Sequence, residues 1–390
     1  MVDVLGMERS FWLVSITHMF IEIYYLVQVA LIPVFIREFQ LGLLEASLVA
    51  TVPSLVPIFM NLPVGYLADR VSVNQLLFAS MAIEATSAFA ISQTNSFWVL
   101  VLCVSIMRMC SPLYHITGLS SISRVVAQKK ISRLMGVHNA LGSFGSAIGL
   151  VSLAIFQLIA NWRWVYIFWP VSLFIWGIII LKSPQLKTTE TNSEEKRTVL
   201  KRLPLIFSAG FIIFLAAIGL REVGNTGTST FMTTYLVNTR GLSEVTASLI
   251  FGLGPFTGIL GSLVGGFLGE RIGAKKTLGF AMIGCIFSLA ALAFSSHLFV
   301  LMLVYIFYAF FSNSVWSPMN TLVADLTPKN ERGLSFSIYF LTEGLIVSVT
   351  PIITATIISL TSIWIIFPFS IIFIALGLLT LQLLSYRSSQ

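Results

Sequence analysis

With 390 residues, 56% of them hydrophobic and only 10% charged, the chain is neither a soluble globular domain nor a disordered one, and its mean hydropathy of +0.92 marks a polytopic membrane protein. The formal charge of +7 does not point to a nucleic-acid partner, because the basic residues fall in short loops between apolar runs and form no single patch. Cys103, Cys110 and Cys285 sit inside apolar runs, so neither a disulfide nor a metal site is expected.

The opening MVDVLGMERS carries Asp3 and Glu8 and no small-residue cleavage site, so no cleaved signal peptide is expected. A spanning helix needs about twenty apolar residues. Twelve segments meet this: 11–36, 43–68, 74–92, 97–123, 133–160, 164–181, 204–238, 243–269, 276–294, 298–324, 333–360 and 363–385. The expected fold class is therefore all-α.

The first segment places His18 and Glu22 at i, i+4 and Tyr25 three further on, on one helical face near the bilayer midplane. The second ends in GYLADRVSVNQ, Gly65 to Gln75, and a worn copy, GFLGERIGAKK, returns at Gly266 to Lys276, 201 residues later. Each copy ends an apolar run with a glycine and an acid-arginine pair, Asp69-Arg70 and Glu270-Arg271, which predicts a charged hairpin between membrane helices. The third segment holds Glu84. The fourth holds Arg108, with Ser111, Pro112 and His115 on the same face. A charge at this depth is costly unless paired or facing water, so each is a candidate functional residue, with a structural ion pair as the alternative. The fifth carries Gly136, Gly145 and Gly149.

Lys182 to Arg202 is the one long polar interruption, a linker that divides the chain into 1–181 and 203–390. Beyond it, Arg221, Glu222, Asn225 and Thr228 stand amid two glycines, a pattern that predicts a broken helix lining a cavity. The tenth segment places Asn313, Trp316 and Asn320 at i, i+3, i+7, amides beside an indole, suited to an organic solute or to interhelical hydrogen bonds. Glu343 lies in the eleventh. Eighteen of the 23 Lys and Arg residues fall on one side of this topology, against Arg37, Arg163 and Arg240 on the other. Both termini and the linker are thus expected in the cytoplasm.

The paired loops resemble the signature loop between helices 2 and 3 of the major facilitator superfamily and its recurrence between helices 8 and 9. Ser72 stands for the usual second glycine of the first copy, and Val73-Asn74 for its basic pair. Ser111 to Arg124, SPLYHITGLSSISR, is similar to the Tyr-His-Pro-x-Gly stretch of the fosmidomycin-resistance-like branch, with Ile116 in place of the proline. A His and an acid on helix 1 are also familiar there. Gly136, Gly145 and Gly149 match the glycine spacing of the antiporter signature on helix 5, without its Gly-Pro; close packing is the alternative. DLTPKNERG, Asp325 to Gly333, resembles the turn between helices 10 and 11. The resemblance implies two six-helix bundles related by pseudo-twofold symmetry, a solute site between them lined by helices 1, 4, 7 and 10, and alternating access by rocking. Helix 3 is peripheral in that plan, which gives Glu84 a structural role.

The functional expectation is a secondary transporter of a small organic solute, working in the cytoplasmic membrane as a monomer without a cofactor. An enzyme would need an HExxH, a GxSxG elbow or clustered metal ligands, and His18, His115, His138 and His297 are scattered over the sequence. A channel would need a continuous polar path or repeated filter loop. Arg108 is expected either to pair with a carboxylate such as Glu22 or to bind an anionic solute. Four acids, Glu22, Glu84, Glu222 and Glu343, face two arginines, Arg108 and Arg221, at mid-depth. Such an excess is expensive in hydrocarbon, so some acids are expected to carry protons in at least one state. Glu22 is the first candidate for proton coupling, beside His18, with Glu222 and Glu343 next. Proton-coupled efflux is the favoured direction; a uniporter or an uptake carrier for an organic anion or sugar derivative is the alternative.

Overall fold

A computed structural model describes residues 2–3, 7–68, 71–125, 131–184, 207–328 and 332–385. After a two-residue antiparallel bridge, Val2–Asp3 with Met7–Glu8, the described chain is helical. In order the helices are α1 (Arg9–Ile21), α2 (Val27–Ala30), α3 (Ile32–Phe39), α4 (Leu43–Ala68), α5 (Val73–Gln93), α6 (Phe97–Met107), α7 (Cys110–Val125), α8 (Ile131–Ile159) and α9 (Arg163–Lys182). The second half adds α10 (Ala209–Asn238), α11 (Glu244–Ile272), α12 (Ala274–Phe294), α13 (Leu298–Asn313), α14 (Trp316–Leu326), α15 (Arg332–Leu360) and α16 (Ile366–Gln382). Among the described residues 11 spans are long and apolar enough to cross a membrane, with α6–α7 and α13–α14 each counting as one. The first predicted segment is divided into α1, α2 and α3.

These divisions have local causes. Pro112 and Pro318 bring no N–H, so the carbonyls four residues back, Arg108 and Ser314, lose their helical donor. Both helices yield there. Arg108 caps α6 at φ −65, ψ −11 and Ser314 caps α13 at φ −67, ψ −10. Pro33 similarly opens α3. The break predicted around Gly224 and Gly227 does not occur, since α10 is continuous from Ala209 to Asn238. Those glycines serve packing instead: a Cβ at Gly224 would lie 2.6 Å from the Ser370 carbonyl oxygen of α16.

The chain forms two compact units, residues 1–191 with 236–252, and residues 192–235 with 253–390. Within the first, Arg37 is ion-paired with Glu244, and Ser248 Oγ donates to Gln157 Oε1 at 3.1 Å. Trp162 Nε1 donates to Glu38 Oε2 at 2.6 Å. The packing reading of the fifth-segment glycines is realised on α8: a Cβ at Gly145 or Gly149 would run into the carbonyl oxygen of Met19 or Ile23. Helix α8 thus rests backbone to backbone on the first segment.

The duplicated loops have a shared structural task. Ser72 is the N-cap of α5 in a capping box with Gln75. Two residues on, Asn74 Nδ2 donates to Ile180 O at 2.8 Å and Ser183 O at 3.0 Å, at the end of α9. In the second copy Gly273, at φ +93, is the N-cap of α12. Lys275 Nζ then donates to Gln382 O at 3.2 Å and Leu384 O at 2.7 Å, at the end of α16. Each staple supplies donors to carbonyls that a helix C-terminus leaves unpaired. Asp69 and Arg70 lie outside the described residues, and Gly65 falls within α4. Gly266 closes on Ser317, while Glu270 and Arg271 are exposed, the latter with its guanidinium 4.3 Å above the Phe267 ring.

Candidate functional site

The first unit collects its polar groups where α1 ends. Just past Ile21 the backbone runs through five residues of turn, and Glu22 stands at its start. Glu22 Oε1 lies 3.5 Å from His18 Nε2 and 3.8 Å from His115 Nε2, the latter reaching in from α7. His18 is buried at 8% exposure, while Glu22 and His115 are half-buried.

Donor accounting fixes the imidazoles. Tyr114 Oη is 3.0 Å from the Val14 carbonyl, which only accepts, so the phenol proton goes there. The phenol oxygen must then accept from His138 Nε2, 3.3 Å away, and His138 Nδ1 is hydrogen-bonded to Ser15 Oγ at 3.1 Å. His138 therefore carries a proton on Nε2. His18 Nδ1 is 3.1 Å from the His138 carbonyl oxygen and must donate to it. That leaves His18 Nε2, the atom facing Glu22, as a lone pair whenever His18 is neutral. A lone pair 3.5 Å from a carboxylate oxygen calls for a shared cation.

Sequence position alone leaves His138 unmarked and the histidines scattered. The fold corrects this: the His18 ring is 4.4 Å from His138, stacked, and 5.3 Å from His115, edge-on. The signal lies in α8, where His138, Gly142, Gly145 and Gly149 stand at i, i+4, i+7, i+11 and share one face. A Cβ at Gly142 would lie 2.5 Å from His18 Cε1, so the same glycine row admits the ring.

Of the two roles expected of Arg108, the pairing with Glu22 is not seen. Arg108 Nη2 donates to the Tyr25 carbonyl at 2.9 Å, and its guanidinium sits 4.9 Å above the Tyr25 ring. Among the described residues Arg108 forms no ion pair with Glu22, whose partners are the two histidines. Tyr25 is 48% exposed, so the pair stands at the edge of the cluster. Glu84 on α5 is 1% exposed, and its Oε2 has no hydrogen-bond partner.

The second unit has its own polar group. Arg221 and Glu222, both on α10 and each 2% exposed, are ion-paired. Arg221 Nη2 also donates to Ser312 O at 2.7 Å and Ser312 Oγ at 3.1 Å on α13. Asn225 Oδ1 accepts from Tyr308 Oη at 3.1 Å and Ser312 Oγ at 2.6 Å. Tyr308 and Ser312, which no sequence motif marks, are thus the α13 residues that meet α10. Asn313 turns its amide back to the Ala309 carbonyl of its own helix at 2.8 Å, Trp316 is half-buried and Asn320 is exposed. Glu222 and Glu343 line one small cleft with Leu215, Ile218, Gly219, Tyr339 and Thr342.

Comparison with known proteins gives a consistent result. The family model described as Major Facilitator Superfamily matches residues 12–265 and 215–389. The chain is 21% identical over 273 residues to the probable nitrate transporter NarT of Staphylococcus haemolyticus (strain JCSC1435), covering 69% of this chain and 68% of that one. It is 22% identical over 290 residues to the fosmidomycin resistance protein of Escherichia coli (strain K12), covering 70% and 67%. In three dimensions it resembles a bacterial homologue of the human lysosomal transporter Spinster in an inward-facing, occupied conformation, with TM-score 0.81, 14% identity, and 97% and 98% of the chains covered.

Proposed function

The chain belongs to the major facilitator superfamily and is a transporter of a small solute, not an enzyme, and from that premise we propose that it is a proton-coupled carrier working by alternating access, in the efflux direction. The observation that carries the coupling is Glu22 set between His18 and His115, with His18 Nδ1 committed to the His138 carbonyl. The facing lone pair and carboxylate can share one proton, and losing it leaves both groups as acceptors with nothing between them. A carrier that alternates water access to this pair takes a proton on one side and releases it on the other. Glu222 and Glu343, sharing a cleft in the second unit, supply a second pair of carboxyls for the same purpose. Protein reconstituted into liposomes, given solute on both sides and a pH gradient, is expected to accumulate solute. Equal accumulation with and without the gradient, at zero membrane potential, overturns the coupling.

Arg108 is assigned to an anionic group of the solute. Its charge is permanent, its partner is a neutral carbonyl and an aromatic face, and no carboxylate neutralises it in an ion pair among the described residues. The similarity to proteins named for nitrate transport and for fosmidomycin resistance is compatible with this assignment. Arg108→Ala is expected to weaken solute affinity by at least about tenfold, the scale of one charge-assisted hydrogen bond, with Arg108→Lys in between. Normal affinity in both variants removes the assignment.

The distribution of basic residues supports placing the linker and both termini on the cytoplasmic side of the cell membrane. Protease added outside sealed cells should leave Lys182 to Arg202 intact and should cut it in inverted vesicles. The opposite pattern reverses the topology.

A further inference from the structure

We propose that His18, Glu22 and His115 form a binding site for a divalent first-row transition-metal ion, with zinc and cobalt as the best-matched members. The ligand atoms, His18 Nε2, His115 Nε2 and a Glu22 oxygen, all lie within 4.8 Å of one another. Two of the edges, 3.5 and 3.8 Å, are near the roughly 3.3 Å separation of ligands in a tetrahedral site with bonds of about 2.0 Å. Closing the set asks for a small inward shift of His115, which is the more exposed of the two rings at its side chain, 37% against 10%.

The donor chemistry supports this beyond proximity. Two imidazoles and one carboxylate are a borderline nitrogen-oxygen set, suited to zinc, cobalt or nickel and poorly suited to magnesium or calcium. A metal-binding imidazole characteristically donates its other N–H to a carbonyl or carboxylate, and His18 Nδ1 does so to the His138 carbonyl at 3.1 Å. That bond aims the Nε2 lone pair at the place where Glu22 and His115 converge. The carbonyl belongs to His138, whose ring is locked by Ser15 and Tyr114. Arg108, the nearby permanent cation, is occupied with the Tyr25 carbonyl and ring. Three protein ligands leave a fourth position open, as in exchangeable sites.

The site does not depend on proton coupling, and its test is direct. Tag-free purified protein titrated with Co²⁺ is expected to bind one equivalent with the visible d–d bands of a four- or five-coordinate ion, displaced by Zn²⁺. His115→Asn and Glu22→Gln should each weaken that binding by about tenfold or more, while His297→Asn, remote from the cluster, should leave it unchanged. His115 is partly exposed, so its replacement is tolerated by the fold; a thermal unfolding curve checks that. Absence of the bands in the wild type, or equal binding by the His115→Asn protein, overturns the proposal. Either result leaves the pH-gradient experiment to decide proton coupling on its own.

Discussion

Glu22→Gln is expected to abolish accumulation of solute driven by a pH gradient while solute counterflow continues at about the wild-type rate. The substitution keeps the shape of the side chain and its ability to accept a hydrogen bond. It removes the negative charge and the capacity to exchange a proton at neutral pH. His18 remains anchored through Nδ1 to the His138 carbonyl at 3.1 Å, so the geometry around the site is retained and the loss is chemical. Counterflow needs only binding and alternation, and therefore separates a coupling defect from a binding or folding one. Glu22→Asp should restore part of the accumulation. A Glu22→Gln carrier that still concentrates solute when only a pH gradient is imposed assigns the coupling elsewhere, to Glu222 and Glu343 first.

The largest effect on stability is expected at Gly145. A methyl group there meets the Met19 carbonyl oxygen, part of a helix backbone that cannot swing aside as a side chain would. Gly145→Ala should lower stability by about 1–3 kcal/mol, the usual cost of forcing an extra carbon into a packed contact, and Gly145→Leu should prevent folding. Gly269→Ala supplies the contrast: its Cβ has nothing within 4 Å, and replacing a helical glycine with alanine should leave stability unchanged or raise it by up to about 1 kcal/mol. Thermal unfolding of the two alanine variants in detergent reads this directly. Similar melting points for both would mean that α8 is free to back away from the first segment. A displaced α8 also carries the His138 carbonyl off His18, so Gly145→Ala should reduce Co²⁺ affinity in parallel.

The spans were legible because hydrocarbon thickness imposes a length of apolar sequence, and α5, α9 and α12 start and stop within two residues of the predicted bounds. The places where spans give way were legible in part. Pro112 and Pro318 account for two divisions, but Pro53, Pro57 and Pro63 leave α4 uninterrupted, so proline alone does not decide. The turn after Glu22 contains neither proline nor glycine and carries no local signal. Glycine misled at 224 and 227, because in a bilayer it serves close helix contact as often as it serves a bend. Of the candidate site, the i, i+4 spacing of His18 and Glu22 could be read from one helix. The arrival of His115 and His138 depends on how α7 and α8 pack against α1, and no spacing within a single segment encodes that. The Arg108 contact with Tyr25 joins residues 83 positions apart, which no local spacing encodes.

The staples made by Asn74 and Lys275 mean that α9 and α16 do not rely on the downstream chain to stay wound. Their last carbonyls are held from the side, by donors on α5 and α12 that stand 201 residues apart, as do the Ser183 and Leu384 carbonyls they reach. A nick in the polypeptide just beyond residue 184 would therefore leave α9 finished at its end, with its frayed turn already tied down. The repeat has kept this fastening through a change from amide to ammonium, so one fastening is neutral and the other is charged. High salt and lysine-modifying reagents act on the second alone.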